Sequence, residues 1–267
     1  MARVRPVGTV TRGTTNPNRL RRCDRWVVAT QREALLAPAG PPLVVDLGYG
    51  ASPITAVELR DRLRAVRPDV RVVGVEIEPE RIAVAKPLED DTLSFRLGGF
   101  ELPVEGEVDV VRAFNVLRQY DESQVARSWQ IVQQRLSPTG VFVEGTCDEI
   151  GRLATWVALD RERPLTFTLS WRLGGLQTPS VIAERLPKVL IHRNVEGEPI
   201  HRLLRDLDRA WATAAPHASY GARQRFLATV RLVREWGWPV RDGVRRHRLG
   251  ELTLDWSAVA PNGSQFG

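Results

Sequence analysis

Asp46-Leu-Gly48-Tyr49-Gly50-Ala-Ser52 follows the apolar run Leu43 to Val45 and leads into Pro53-Ile-Thr. Two glycines at this spacing let the backbone turn sharply and let a ligand come close to it. Ser52 is a favourable N-cap and Pro53 suits the first helical position. The predicted helix then aims free N–H groups and the positive end of its dipole over the turn, which suits a nucleotide-type ligand. The third glycine of the dinucleotide fingerprint is missing, because Ser52 stands in its place. Glu76, in Val72-Val-Gly-Val-Glu76-Ile77-Glu78-Pro79, is a carboxylate that can accept from both hydroxyls of a ribose. Glu78 reads instead as an exposed first-turn acid of the next helix. Gly98-Gly99-Phe100 allows close approach and offers an aromatic face. Asn115, in Arg112-Ala-Phe-Asn115-Val116-Leu117, carries both donor and acceptor.

These groups need elements that bring them to one edge. Strands are predicted at Leu43 to Leu47, Arg71 to Glu76, Thr92 to Leu97, Val108 to Phe114 and from Val141 to about Glu144. Helices are predicted over 53–66, 79–86 and 122–136, the last opened by a capping box of Asp121 and Gln124 and closed by Ser-Pro-Thr-Gly140. Such alternation predicts a parallel sheet covered by helices on both faces, with ligand groups at the carboxyl ends of the strands. Ahead of it, a helix is expected from an Asn18 cap to about Leu36, then a Pro/Gly linker. Beyond it, Arg152 to Asp160 and Pro164 to Trp171 alternate with period two and read as an antiparallel hairpin. Helical stretches over 179–187, 198–215 and 221–236 and a strand over 249–256 complete the chain.

Residues 40–146 resemble the class I S-adenosylmethionine-dependent methyltransferases. The carriers are Val45-Asp46-Leu-Gly48-Tyr49-Gly50, Gly74-Val-Glu76, Asp109-Val-Val with Asn115-Val116, and the Leu136-to-Gly140 turn. The resemblance implies a doubly wound, mostly parallel α/β sheet of the seven-stranded type, with a C-terminal hairpin and helical insertion. Residues 1–40 would be a basic arm and helix, 41–146 the cofactor-binding core, and 147–267 a hairpin, helical lid and last strand completing the same domain. It implies S-adenosyl-L-methionine as cofactor, with Asp46, Gly48, Tyr49, Gly50 and Ser52 around its methionine end. Glu76 and Ile77 would hold the ribose, Gly99 and Phe100 would flank the adenine, and Asn115 and Val116 would line the transfer site. Gly99-Phe100 stands where the family usually has an acidic residue near the adenine amine.

Methyl transfer needs a base only where the acceptor must lose a proton. Glu144, Asp148, His192, His201 and Tyr220 are the candidates, His192, Asp148 and Tyr220 foremost. A small molecule or saccharide is the favoured acceptor, since residues 147–267 would form a lid. RNA is the alternative, and a non-catalytic cofactor-binding domain a further one.

The RNA alternative rests on charge. Residues 1–25 hold seven arginines against Asp24, an excess equal to the net charge of +6 on the 267-residue chain. Residues 1–17 are expected to be mobile and Asn18 to Trp26 docked, with Arg19 and Arg22 within reach of the cofactor's carboxylate or an anionic acceptor. Cys23 and Cys147 lack metal-ligand spacing, no cluster suggests a metal, and apolar runs are too short to cross a membrane. With no secretory signal, a reducing cytoplasm is the expected setting.

Overall fold

A computed structural model describes residues 6–11 and 13–263. The chain packs as two units, residues 1–151 with 159–163 and residues 152–158 with 164–267.

The first unit holds α1 (Arg21–Thr30), α2 (Arg32–Leu36), β1 (Leu43–Leu47), α3 (Ile54–Arg64), β2 (Arg71–Glu76), α4 (Pro79–Ala85), β3 (Leu93–Leu97), β4 (Val108–Phe114), α5 (Glu122–Gln133) and β5 (Leu136–Cys147). Its strands pair in parallel in the order β3-β2-β1-β4-β5. β1 and β4 are buried along their whole length, in keeping with their valine-rich sequences. The register sets Asp46 between Gly74 and Arg112, and Ala113 beside Glu144. β1 is central, with β2 and β4 on either side, so the chain reverses direction of winding there. The strand ends on both sides of that point face one crevice.

The second unit holds β6 (Leu153–Leu159), β7 (Pro164–Trp171), α6 (Lys188–Ile191), α7 (Pro199–Thr213), α8 (Ala222–Glu235), α9 (Val244–His247) and β8 (Glu251–Asp255). β7 pairs antiparallel with β8. Leu203, Leu207 and Trp211 bury one face of α7, while Arg202, Arg209 and Arg225 lie over the rings of Trp238, Trp236 and Trp211. This unit carries sixteen Lys and Arg against nine Asp and Glu. The even charge balance of residues 26–267 therefore hides a basic C-terminal unit and an acidic remainder.

Eight strands are described where the resemblance implies seven. Three expected boundaries also shift. The helix from Asn18 to Leu36 is two helices, broken at Gln31, and Asn18 caps neither. Its φ is +60°, its N–H donates to Glu58 (2.8 Å) and its Oδ1 accepts from Arg62 (2.9 Å). Ser52 does not cap α3 closely: Pro53 holds the cap position and Ser52 Oγ is 3.4 Å from the Ile54 nitrogen. β5 begins at Leu136, so Ser137 to Gly140 belong to the strand. The register slips between Val108 and Val110, and Ser137 Oγ donates to Asp109 (2.7 Å), which absorbs the irregularity.

Candidate functional site

β1 ends in the Gly48–Gly50 turn, with φ of +70° at Gly48 and +84° at Gly50. The Gly48 N–H donates to the Val75 carbonyl (2.7 Å), which ties the turn to β2. Glu76 lies beside it with 2% exposure. One of its oxygens accepts from the Gly50 N–H and the other from the Ile77 N–H, each at 2.9 Å, and Arg81 Nη1 stands 3.4 Å away without a hydrogen bond of its own. A carboxylate held by main-chain N–H groups keeps lone pairs for further donors.

The loop after β3 supplies the next edge. Phe100 is buried and meets Tyr120 edge-on, with ring centroids 5.5 Å apart. Glu101 turns its carboxylate back onto the Gly99 N–H (2.9 Å). Glu101, one residue past Phe100, thus sets a carboxylate on this loop that the sequence reading did not single out. After β4, Asn115 adopts φ +60° and ties two strand ends together. Its Oδ1 accepts from the Cys147 N–H (3.0 Å) and its Nδ2 reaches Cys147 Sγ (3.4 Å).

The N-terminal segment fills much of this crevice. The Val7 N–H donates to Glu101 (2.8 Å) and the Val7 carbonyl accepts from the Phe100 N–H (3.0 Å). The Thr9 N–H donates to Tyr120 Oη (2.7 Å), the Thr11 carbonyl accepts from Arg81 (2.9 Å), and Thr15 Oγ1 donates to the Tyr49 carbonyl (2.9 Å). A Cβ on Gly99 would come 2.0 Å from the Val7 oxygen, so only glycine allows this approach. Residues 1–17 were expected to be mobile; their described part makes these hydrogen bonds to the crevice. Residues 1–5 and Arg12 lie outside the described residues.

Two small spaces remain. One, of about 80 Å³, is lined by Asp46, Gly48, Tyr49, Gly50, Asn115, Arg19, Thr11 and residues 13–15. The other, of about 20 Å³, is lined by Gly48, Glu76, Ile77, Gly99, Phe100, Val116, Tyr120 and residues 7–9. Ser52 lines neither. Arg19 is docked as expected, yet its guanidinium donates to the carbonyls of Asp148, Thr14 and Cys147.

No protein-family model matches the chain, and no curated protein does. Among solved structures it is similar to the plantazolicin methyltransferase BamL in complex with a desmethyl analogue and SAH, at 15% identity and a TM-score of 0.38, over 48% of this chain and 46% of that one. It is also similar to human N-acetylserotonin methyltransferase in complex with SAM, at 21% identity and a TM-score of 0.33, over 49% and 38% of the two chains. A third is magnesium protoporphyrin IX methyltransferase from Synechocystis PCC 6803 with bound SAH, at 15% identity and a TM-score of 0.35, over 51% and 63%. The chain spans less than two thirds of each.

Beneath the turn lies a buried web that the sequence reading did not anticipate. Arg112, fully buried, donates through Nε to Asp46 (3.0 Å), through Nη1 to Asp24, and through Nη2 to the Thr55 carbonyl (3.0 Å). Asp46 also accepts from Thr55 Oγ1 (3.0 Å), and Asp24 pairs with Arg62. Burial alone would favour a neutral guanidine, but Asp24 and Asp46 outweigh it and hold Arg112 charged. Asp46 is thereby committed to shaping the turn from below. The only trace in the sequence is an arginine inside an apolar strand.

Glu144 is buried in β5, its carboxyl pushed up to about 8 by burial and without a hydrogen-bond partner among the described residues. Asp148 is half-buried just past β5. His192 is exposed at the end of α6, His201 is half-buried on α7, and Tyr220 is 76% exposed. Cys23 and Cys147 are free and buried. Among the described residues no three potential ligands group for a metal, and no helix is long and apolar enough to cross a membrane.

Proposed function

We propose that the chain binds S-adenosylmethionine and transfers its methyl group to a small-molecule acceptor. The observation that carries this reading is a set of three neighbouring strand ends. They place a glycine turn, the buried Glu76 carboxylate, and the paired Phe100 N–H and Glu101 carboxylate along one edge. The donor set fits the group. Glu76 accepts from ribose hydroxyls. The Phe100 N–H and Glu101 suit a ring nitrogen and an amino group of adenine. Arg19 lines the space beside the turn, with its guanidinium taken up by main-chain carbonyls. Bound there, the cofactor supplies a sulfonium methyl, whose C–S bond breaks as the acceptor lone pair forms the new bond. The chain's part is to position the reactants and exclude water. Where the acceptor must lose a proton, Asp148, His192 and Tyr220 remain the proposed bases. A small acceptor is favoured over RNA because Arg19 spends its donors on main-chain carbonyls rather than presenting them to phosphates.

Titration calorimetry tests this reading. S-adenosylmethionine or its demethylated product should bind, and Glu76→Ala should weaken binding by about 1.5–3 kcal/mol, the range for a hydrogen bond to a charged group. Glu78→Ala should change little. Heat with a nicotinamide cofactor and none with either sulfur compound would overturn the reading.

A further inference from the structure

We propose that residues 6–11 and 13–15 are a self-docked strap that occupies the adenosine half of the crevice and competes with the cofactor for it. The proposal rests on the cofactor reading above and adds a form of regulation to it. Val7 offers an N–H and a C=O to Glu101 and to the Phe100 N–H. Adenine offers the same complementary pair, an amino N–H beside a ring nitrogen that accepts. The strap therefore satisfies the groups that would otherwise recognise the base. Thr9 takes up Tyr120 Oη and Thr11 takes up Arg81, the neighbour of Glu76. Thr15 closes the turn end by donating to the Tyr49 carbonyl.

Space makes the same point. The openings of about 80 Å³ and about 20 Å³ beside the strap fall well below the roughly 300 Å³ at which ligand sites of this class begin. The strap and the adenosine group cannot share the crevice. The contacts are almost all made by strap main chain, and every group it covers belongs to the first unit. Such a segment, held chiefly through its own main chain, can dock and leave as a local opening. Gly8 marks how closely it sits: φ is +142°, and a Cβ would come 2.8 Å from Tyr120 Oη.

A ligand that needs the open crevice binds with its intrinsic affinity reduced by the open fraction, so a strap docked nine-tenths of the time costs about tenfold in apparent affinity. The test is calorimetry with S-adenosylhomocysteine on three proteins: the full chain, full-length Gly8→Val, and a chain lacking residues 1–11. The expected result is tighter binding by about tenfold or more on deletion, and a change in the same direction for Gly8→Val, which keeps every other residue if the deletion fails to fold. Hydrogen exchange gives a second readout. The Thr9 amide should be protected in the free full chain and lose protection at saturating S-adenosylhomocysteine. Equal or weaker binding by both variants, or continued Thr9 protection in the complex, overturns the strap while leaving the cofactor reading intact. Absence of binding by all three proteins overturns the cofactor reading, and the competition with it.

Discussion

Arg112 and Glu144 sit on adjacent strands, one step out of register, and both are buried. Arg112 lies beside Val143 and Glu144 beside Ala113, so their side chains leave opposite faces of the sheet. One face meets Arg112 with two carboxylates and a carbonyl, and the group is charged. The other meets Glu144 with no hydrogen-bond partner among the described residues, and its proton is retained up to about pH 8. Burial is common to both, so partners decide the charge state. The first arrangement shapes the turn from beneath. The second keeps a neutral acid inside β5.

The comparison can be broken most severely at Arg112. Arg112→Met leaves Asp24 and Asp46 buried without their guanidinium, and should cost about 3–5 kcal/mol in denaturant unfolding. A loss below about 1 kcal/mol would show that the web does not hold its charges as described. Glu144 is tested through pH. Its folded pKa is raised from the usual 4.5 to about 8. Its contribution to stability is therefore fully present below about 4.5 and is lost as pH rises through about 8. Wild-type stability should fall across that window by up to about 1.4 kcal/mol per unit relative to Glu144→Gln. Parallel profiles for the two proteins would place Glu144 ionised, and the contrast with Arg112 would vanish. The smallest effect should come from Thr55→Val, which removes one donor from Asp46 but leaves Arg112 in place. A loss of about 0.5–1.5 kcal/mol is expected, and a loss as large as that of Arg112→Met would shift the centre of the web from the arginine to the threonine.

The parallel core was legible because its strands are buried on both faces. β1, β2 and β4 fall where short valine-rich stretches place them. β5 was read five residues short of its start, since Ser137-Pro-Thr-Gly140 has the composition of a turn and only its pairing with β4 makes it strand. Gly48, Gly50, Glu76 and Phe100 line the crevice, each marked in the sequence by residue type at a strand end. The strap was not legible, because segments bonded through main-chain N–H and C=O groups show no side-chain period. Gly8 and Gly13 were its only marks. Glu101 was hidden because a carboxylate that folds back onto its own loop looks in sequence like any exposed acid. Arg112 showed as an anomaly within β4, but its partners come from Asp24 and Asp46, far away in the chain.

The two thiols add an experimental convenience. Burial pushes the Cys23 and Cys147 thiols up, with Asp24 adding to the effect at Cys23, so neither is a ready thiolate at neutral pH. Both native thiols are buried in the folded chain, which favours labelling at an exposed site. Val10, 56% exposed on the N-terminal segment, offers a place to install a single reactive sulfur by Val10→Cys. A fluorophore or spin label fixed there would register release of the segment in real time, with no need to remove a native cysteine first.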